Sequence, residues 1–423
     1  MPESIIFLVL AVAFILAAVV GKLPIGISLV VAAVAGALVA GEGIPVRHLI
    51  EGAFGYFEVI VIIVTAILFM QVLQASGALD SLAAFLLLTF RRRKALLLFT
   101  STVIVMFPGM ITGSSTVAVL AAGPLVAPVL MKLGLSRLKT GAFIAMAGIL
   151  GMIAPPINIL VMIMGGGVDM PYVGVNLPLL FLVIPPAIAI PLWIGLKEVR
   201  VMELDELQGI LPKSWFPEYG WRLFLPLVVV LGLMVFQRSL VQVMPDIGIP
   251  GIFVVGSLLG IFCGRRFNFW TTTRKAVVEA MPILAILAGV GMFIQVMTLT
   301  GARGWIVVSL LSMPSELLYL AMAAGGIGFG GVSSYGSASI LGVPFILALI
   351  EKNAILTSTA LSAIVGLGDL VPPTALAGIF AAQVVQEKNY MKIVRYCIVP
   401  ALFILVMGLG VLLFASNLEG VLL

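Results

Sequence analysis

The chain has 423 residues, of which 62% are hydrophobic and 10% charged, with a net charge of +5 and a sequence pI near 9.3. So small a polar share cannot cover the exterior of a water-soluble protein of this length, and lipid is the solvent the composition demands. The single histidine, His48, in an expected loop, excludes a histidine metal cluster or proton relay, and the basic excess reads as a topology signal, not as nucleic-acid affinity.

Apolar runs near the length of a membrane-spanning helix recur from end to end, without the alternation of barrel strands, so the expected fold class is an all-α polytopic membrane protein. Ile5 to Val20 lacks a basic start and runs on directly into Leu23 to Ala40; both read as mature helices. Cys263 and Cys397 lie in or beside apolar runs and read as packing residues. The basic cluster Arg91, Arg92, Arg93 and Lys94 belongs in the cytoplasm. Between it and Lys132, Arg137 and Lys139 lie two arms, Ala95 to Phe107 and Val117 to Met131, each short of a full crossing. The expectation is a re-entrant hairpin over 95–131 whose tip, within FPGMITGSST, sits inside the membrane.

Residues 140–165 then cross outward and 172–196 return. The segment 197–222, KEVRVMELDELQGILPKSWFPEYGWR, reads as a cytoplasmic linker. In the second half, crossings are expected at 223–237, 247–263 and 277–300, a second hairpin at 316–350, a crossing at 354–386 and a last helix. On this topology every Lys and Arg except Arg47, Arg238, Arg303 and Lys352 faces the cytoplasm. Arg303, near an exterior boundary, reads as solvated.

The halves, 1–196 and 223–423, share sequence. FMQVLQASGA and FIQVMTLTGA match at a spacing of 224 residues, LGMIAPP answers LGDLVPP, and GSST at Gly113 to Thr116 answers GSAS at Gly336 to Ser339. Each half holds about five crossings, one hairpin and one broken helix (140–165 and 354–386). An odd number of crossings turns the second copy over, giving an inverted repeat.

Four polar breaks fall in symmetric pairs: the hairpin tips at Gly113 to Thr116 and Ser333 to Ser339, and the Pro-Pro interruptions at Pro155 to Asn158 and Pro372 to Thr374. Irregular backbone at membrane depth requires surrounding protein or a water-filled cavity. Helix N-termini there suit a carboxylate, and freed carbonyls and hydroxyls suit Na⁺. The expected substrate ligands are Ser114, Ser115, Thr116, Asn158, Ser337 and Thr374. The expected Na⁺ ligands are Gly113, Ser115, Pro155, Gly336, Ser339, Gly368, Asp369 and Pro372. Asp369, where the first half has Met152, is an intramembrane carboxylate and a functional candidate by default. No Walker lysine motif and no nucleophile triad occur, so ATP-driven pumping and enzymatic chemistry are not expected, and no cofactor is implied beyond Na⁺ as coupling ion.

The hairpin ITGSSTVAVLAAGPL, the break GILGMIAPPINIL and the distal GLGDLVPPTALAG resemble the ion transporter superfamily, most closely the large membrane subunit of tripartite ATP-independent periplasmic (TRAP) transporters. The sequence departs from that pattern in having Ile157 and Asn158 after the first Pro-Pro pair, where a Ser is usual. The resemblance implies an elevator mechanism in a bacterial or archaeal inner membrane, with Na⁺ coupling and a small organic acid, such as a C4-dicarboxylate, as substrate. It also implies a small four-helix membrane subunit and a periplasmic binding protein as partners. A one-component carboxylate symporter of the gluconate or citrate type, or a channel built on re-entrant hairpins, uses the same features.

Overall fold

The computed structural model describes residues 2–201, 209–240, 247–349 and 352–423, without the side chains of 236–240. Parts of the 197–222 linker, the Arg238 side chain and the far end of the 316–350 hairpin therefore lie outside the described residues. All regular structure among the described residues is helical, and eight helices are long and apolar enough to cross a membrane.

The first half runs α1 (Glu3–Ile15, prolonged by a π turn Leu16–Val20), α2 (Ile25–Ala40), α3 (Val46–Phe54), α4 (Phe57–Ala75) and α5 (Ala78–Phe90). A hairpin follows, α6 (Lys94–Thr112) and α7 (Ser115–Lys132), then the broken pair α8 (Arg137–Ile153) and α9 (Ile159–Gly166), then α10 (Asn176–Gly195). After α11 (Phe216–Tyr219) the second half holds α12 (Leu225–Leu240), α13 (Gly248–Cys263), α14 (Phe269–Leu299) and α15 (Ala302–Leu311). Its hairpin is α16 (Ser315–Gly330) against α17 (Ser334–Ser337), a π turn (Ala338–Gly342) and α18 (Val343–Ala348). The broken pair α19 (Ala354–Gly366) and α20 (Leu376–Val384) leads to α21 (Tyr390–Leu413) and α22 (Ala415–Leu422).

Several expectations are corrected. The hairpin arms α6 and α7 have 19 and 18 residues, longer than the sequence suggested. The stretch that seemed to end the first arm at Phe107 is absorbed into α6, which runs on through Pro108 to Thr112, and the Thr112 hydroxyl donates to the Pro108 carbonyl one turn back at 2.7 Å. The crossing expected at 277–300 is part of a single helix of 31 residues starting at Phe269. His48 lies on α3, not in a loop. The linker is not merely solvated, since the Trp215 amide donates to Ser81 Oγ at 2.8 Å and its ring meets the position a Cβ on Gly77 would occupy. Arg303 is tied into the protein, donating to the Gly167 carbonyl at 2.5 Å. Cys263 and Cys397 are buried and unpaired.

Two packing groups result. In one, α14 lies against α2, α3 and α4, with α13 on α4. The approach of α14 to α3 is so close that a Cβ on Gly291 would fall 1.9 Å from the Gly52 carbonyl oxygen, which leaves room for glycine alone at this crossing. In the other group α6, α7 and α8 pack mutually, α20 covers α7 and α8, and α21 joins α8 to α19. Polar and aromatic contacts link the groups: Tyr56 donates to the Ile163 carbonyl at 2.8 Å, and Phe14 stacks on Phe329 with ring centroids 5.6 Å apart.

Candidate functional site

The turn between α6 and α7 is two residues long. Gly113 is left-handed at φ +64°, and a Cβ there would stand 2.5 Å from Ile159, so glycine is required twice over. Ser114 is extended and its hydroxyl accepts from the Val117 amide at 3.4 Å, capping α7. Ser115 is thereby the first residue of α7. The second hairpin repeats this arrangement: Ser333 is extended, its hydroxyl accepts from the Gly336 amide at 3.1 Å, and Ser334 opens α17.

Next to this tip the break after α19 comes so close that a Cβ on Gly368 would lie 2.4 Å from the Gly330 backbone. That approach delivers Asp369, 5% exposed, to the meeting point of the tips. Its Oδ1 accepts from Ser334 Oγ at 2.7 Å and its Oδ2 accepts from Ser115 Oγ. Tyr335, the next residue, donates its hydroxyl to the Gly113 carbonyl at 3.1 Å. Both tips and the second break thus converge on one carboxylate, and among the described residues no lysine or arginine pairs with it. Hard cations take such oxygen donors, whereas no cluster of His, Cys, Asp or Glu suited to a transition metal occurs among the described residues.

The first break is built differently. Asn158 is fully buried; its Oδ1 accepts from the Val161 amide at 3.1 Å, and its Nδ2 donates to the Ile153 carbonyl at 3.0 Å and to Ser362 Oγ at 2.9 Å. Its own amide donates to the Tyr172 hydroxyl at 2.8 Å, which donates in turn to the Pro156 carbonyl at 3.0 Å. Asn158 therefore caps α9 and ties it to α8 and α19, with both side-chain N–H groups engaged. At the corresponding place in the second break stands Ala375, left-handed at φ +38°, and α20 has no side-chain cap. The first turn of α20 keeps its N–H groups free of side chains, beside the exposed Pro372 and Pro373. Pro155, in contrast, is buried, and both proline pairs are joined by cis peptide bonds.

Of the expected residues, Gly113, Ser115 and Asp369 come together, with Gly368 setting the approach. Ser114 is spent on its cap. Ser337 donates to the Gly326 carbonyl at 2.8 Å, Ser339 to Gly336 at 2.9 Å and Thr374 to Gly331 at 2.8 Å. Gly336 faces Phe14, whose Cζ would lie 3.0 Å from a Cβ there, and Thr116 is half-buried. The sequence reading placed Ser334 and Tyr335 within the second tip but named neither as a ligand. Pairing GSST with GSAS set Ser114 opposite Ser337; the caps place it opposite Ser333 instead. The usable signal was VSSYG itself, two serines following the glycines of GFGG, which is a helix-start pattern.

Residues 10–419 match the DctM component of the tripartite ATP-independent periplasmic transporters. The chain belongs to that family. Such a chain is a multi-pass membrane transporter component, one part of a tripartite system. Among solved structures the chain is similar to the YdaH transporter of Alcanivorax borkumensis, at 16% identity over 89% of each chain with a TM-score of 0.61. It is also similar to MtrF of Neisseria gonorrhoeae, described as illuminating a class of antimetabolite efflux pumps, at 14% identity over 87% of this chain and 83% of that one, again with a TM-score of 0.61. Likeness at that identity speaks for the fold. No curated protein matches the chain.

Proposed function

We propose that this DctM-family chain imports a small organic acid, of the C4-dicarboxylate kind, across the inner membrane by coupling it to Na⁺. The observation that carries the reading is the hydrogen bonding of Ser115 and Ser334, one from each hairpin tip, to the carboxylate of Asp369. A cation entering there takes carboxylate and hydroxyl oxygens at once and so ties both hairpins to the second broken helix. The anionic end of the substrate is received by the uncapped start of α20, where N–H groups and the helix dipole favour negative charge. The neighbouring Asp369 makes this place repel an anion until a cation has neutralised it, which is the electrostatic basis of coupling.

The halves act as inverted repeats, and the group formed by both hairpins and broken helices moves as one elevator body against the group around α14. A small membrane subunit and a periplasmic binding protein complete the system. Reconstituted with both partners in proteoliposomes, the chain takes up a radiolabelled carboxylate from a panel when an inward Na⁺ gradient is imposed. Uptake that is indifferent to Na⁺ overturns the coupling; uptake without the binding protein favours the one-component symporter.

A further inference from the structure

A cavity of about 250 Å³ opens between the ends of α8, α10 and α21, lined by Lys139, Trp193, Ile194 and Tyr396. It lies roughly 20 Å along α8 from the break at Ala154, well away from the Asp369 cluster. Trp193 is 57% and Tyr396 38% exposed, so the cavity opens outward from the helix bundle. Indole and phenol rings at this depth mark the membrane–water interface.

The surrounding charge is one-sided. The stretches 132–139, 197–200 and 387–396 hold eight basic residues against two acidic ones, Glu198 and Glu387. Glu198 pairs with Lys139, and Glu387 stands 3.9 Å from Lys392. Helical spacing sets Lys392 one turn before Tyr396 on α21, and Lys197 lies in the turn just beyond the end of α10 at Gly195; both are exposed at the water-facing rim. One turn the other way, toward the membrane interior, the exposed Ala189 and Val399 leave an apolar track.

We propose that this cavity is a binding site for an anionic phospholipid. Its phosphodiester is held by Lys139 and the rim lysines, its glycerol lies between Trp193 and Tyr396, and an acyl chain runs along Ala189 and Val399. Cationic rim, aromatic pair and apolar track stand in the order that a phospholipid presents its own parts.

Thermal shift of the purified full chain in neutral detergent, with native mass spectrometry of retained lipid, provides the test. The probes are dioleoyl phosphatidylglycerol, dioleoyl phosphatidylcholine and inorganic phosphate. Phosphatidylglycerol is expected to raise Tm and be retained, while phosphatidylcholine and phosphate do neither. The exposed double variant Lys197→Gln/Lys392→Gln weakens the phosphatidylglycerol response by on the order of tenfold, as expected for two interfacial lysines. Trp193→Ala removes the bound lipid. Equal responses to both lipids, a shift produced by phosphate alone, or an unchanged response in the lysine variant overturns the site. If Trp193→Ala does not fold, the lysine variant decides alone.

Discussion

At the scale of single residues, Asp369 and Asn158 are both buried polar groups beside broken helices, yet their bonding assigns them opposite roles. Asp369 collects hydroxyls from two separate hairpins, whereas Asn158 is consumed by the protein around it. Ser334→Ala is therefore expected to weaken Na⁺ activation of uptake several-fold with little change in Tm, because Ser333 keeps the cap of α17. Asn158→Ala is expected to do the reverse. Losing a cap and two buried donors costs on the order of 2 kcal/mol, seen as a lower Tm with the Na⁺ concentration for half-activation unchanged. A shifted half-activation in Asn158→Ala returns this residue to the ligand set. Asp369, Ser115 and Gly113 were legible because a carboxylate, a hydroxyl and a glycine stand out in apolar surroundings. Ser334 was not, because two similar tetrapeptides suggested an alignment that the caps contradict, and capping register is a property of the folded hairpin.

At the scale of elements, the hairpins and broken helices place the site. Two glycines set its geometry for different reasons: Gly113 needs a left-handed backbone, and Gly368 needs room against Gly330. Gly368→Ala is expected to push the α19 break from the second hairpin and abolish uptake while the chain still inserts, an outcome read by transport beside surface expression. Normal uptake contradicts the close approach. For the first hairpin, cysteines at Lys94 and Lys132, which bound the two arms, are expected to react with an impermeant reagent from one and the same side of the membrane. Labelling from opposite sides means that the segment between them passes through the membrane once and forms no hairpin. The existence of these elements was visible in the glycines, the proline pairs and the basic clusters. Their lengths were not, since the proline- and glycine-bearing stretch after Phe107, which looks like an interruption, continues α6 as far as Thr112, and the unbroken run of α14 crosses a lysine-bearing boundary that sequence alone assigns to a loop.

At the scale of the molecule, composition demanded a membrane protein and the length of the apolar runs a helical one, and the helices and the family agree with both. What composition could not convey is which breaks meet: three converge at Asp369, while the fourth is closed by Asn158, so the site is asymmetric although the sequence repeat suggested symmetry. This asymmetry underlies the central claim, that the carboxylate and the two hairpin serines form one Na⁺ site. The most direct measurement is the melting temperature of the purified chain titrated with NaCl against KCl at constant ionic strength, for the wild type and for Asp369→Asn. A saturable, Na⁺-specific rise in the wild type that disappears in Asp369→Asn, with the two proteins melting alike in KCl, is the predicted result. An undiminished Na⁺-specific rise in Asp369→Asn contradicts it.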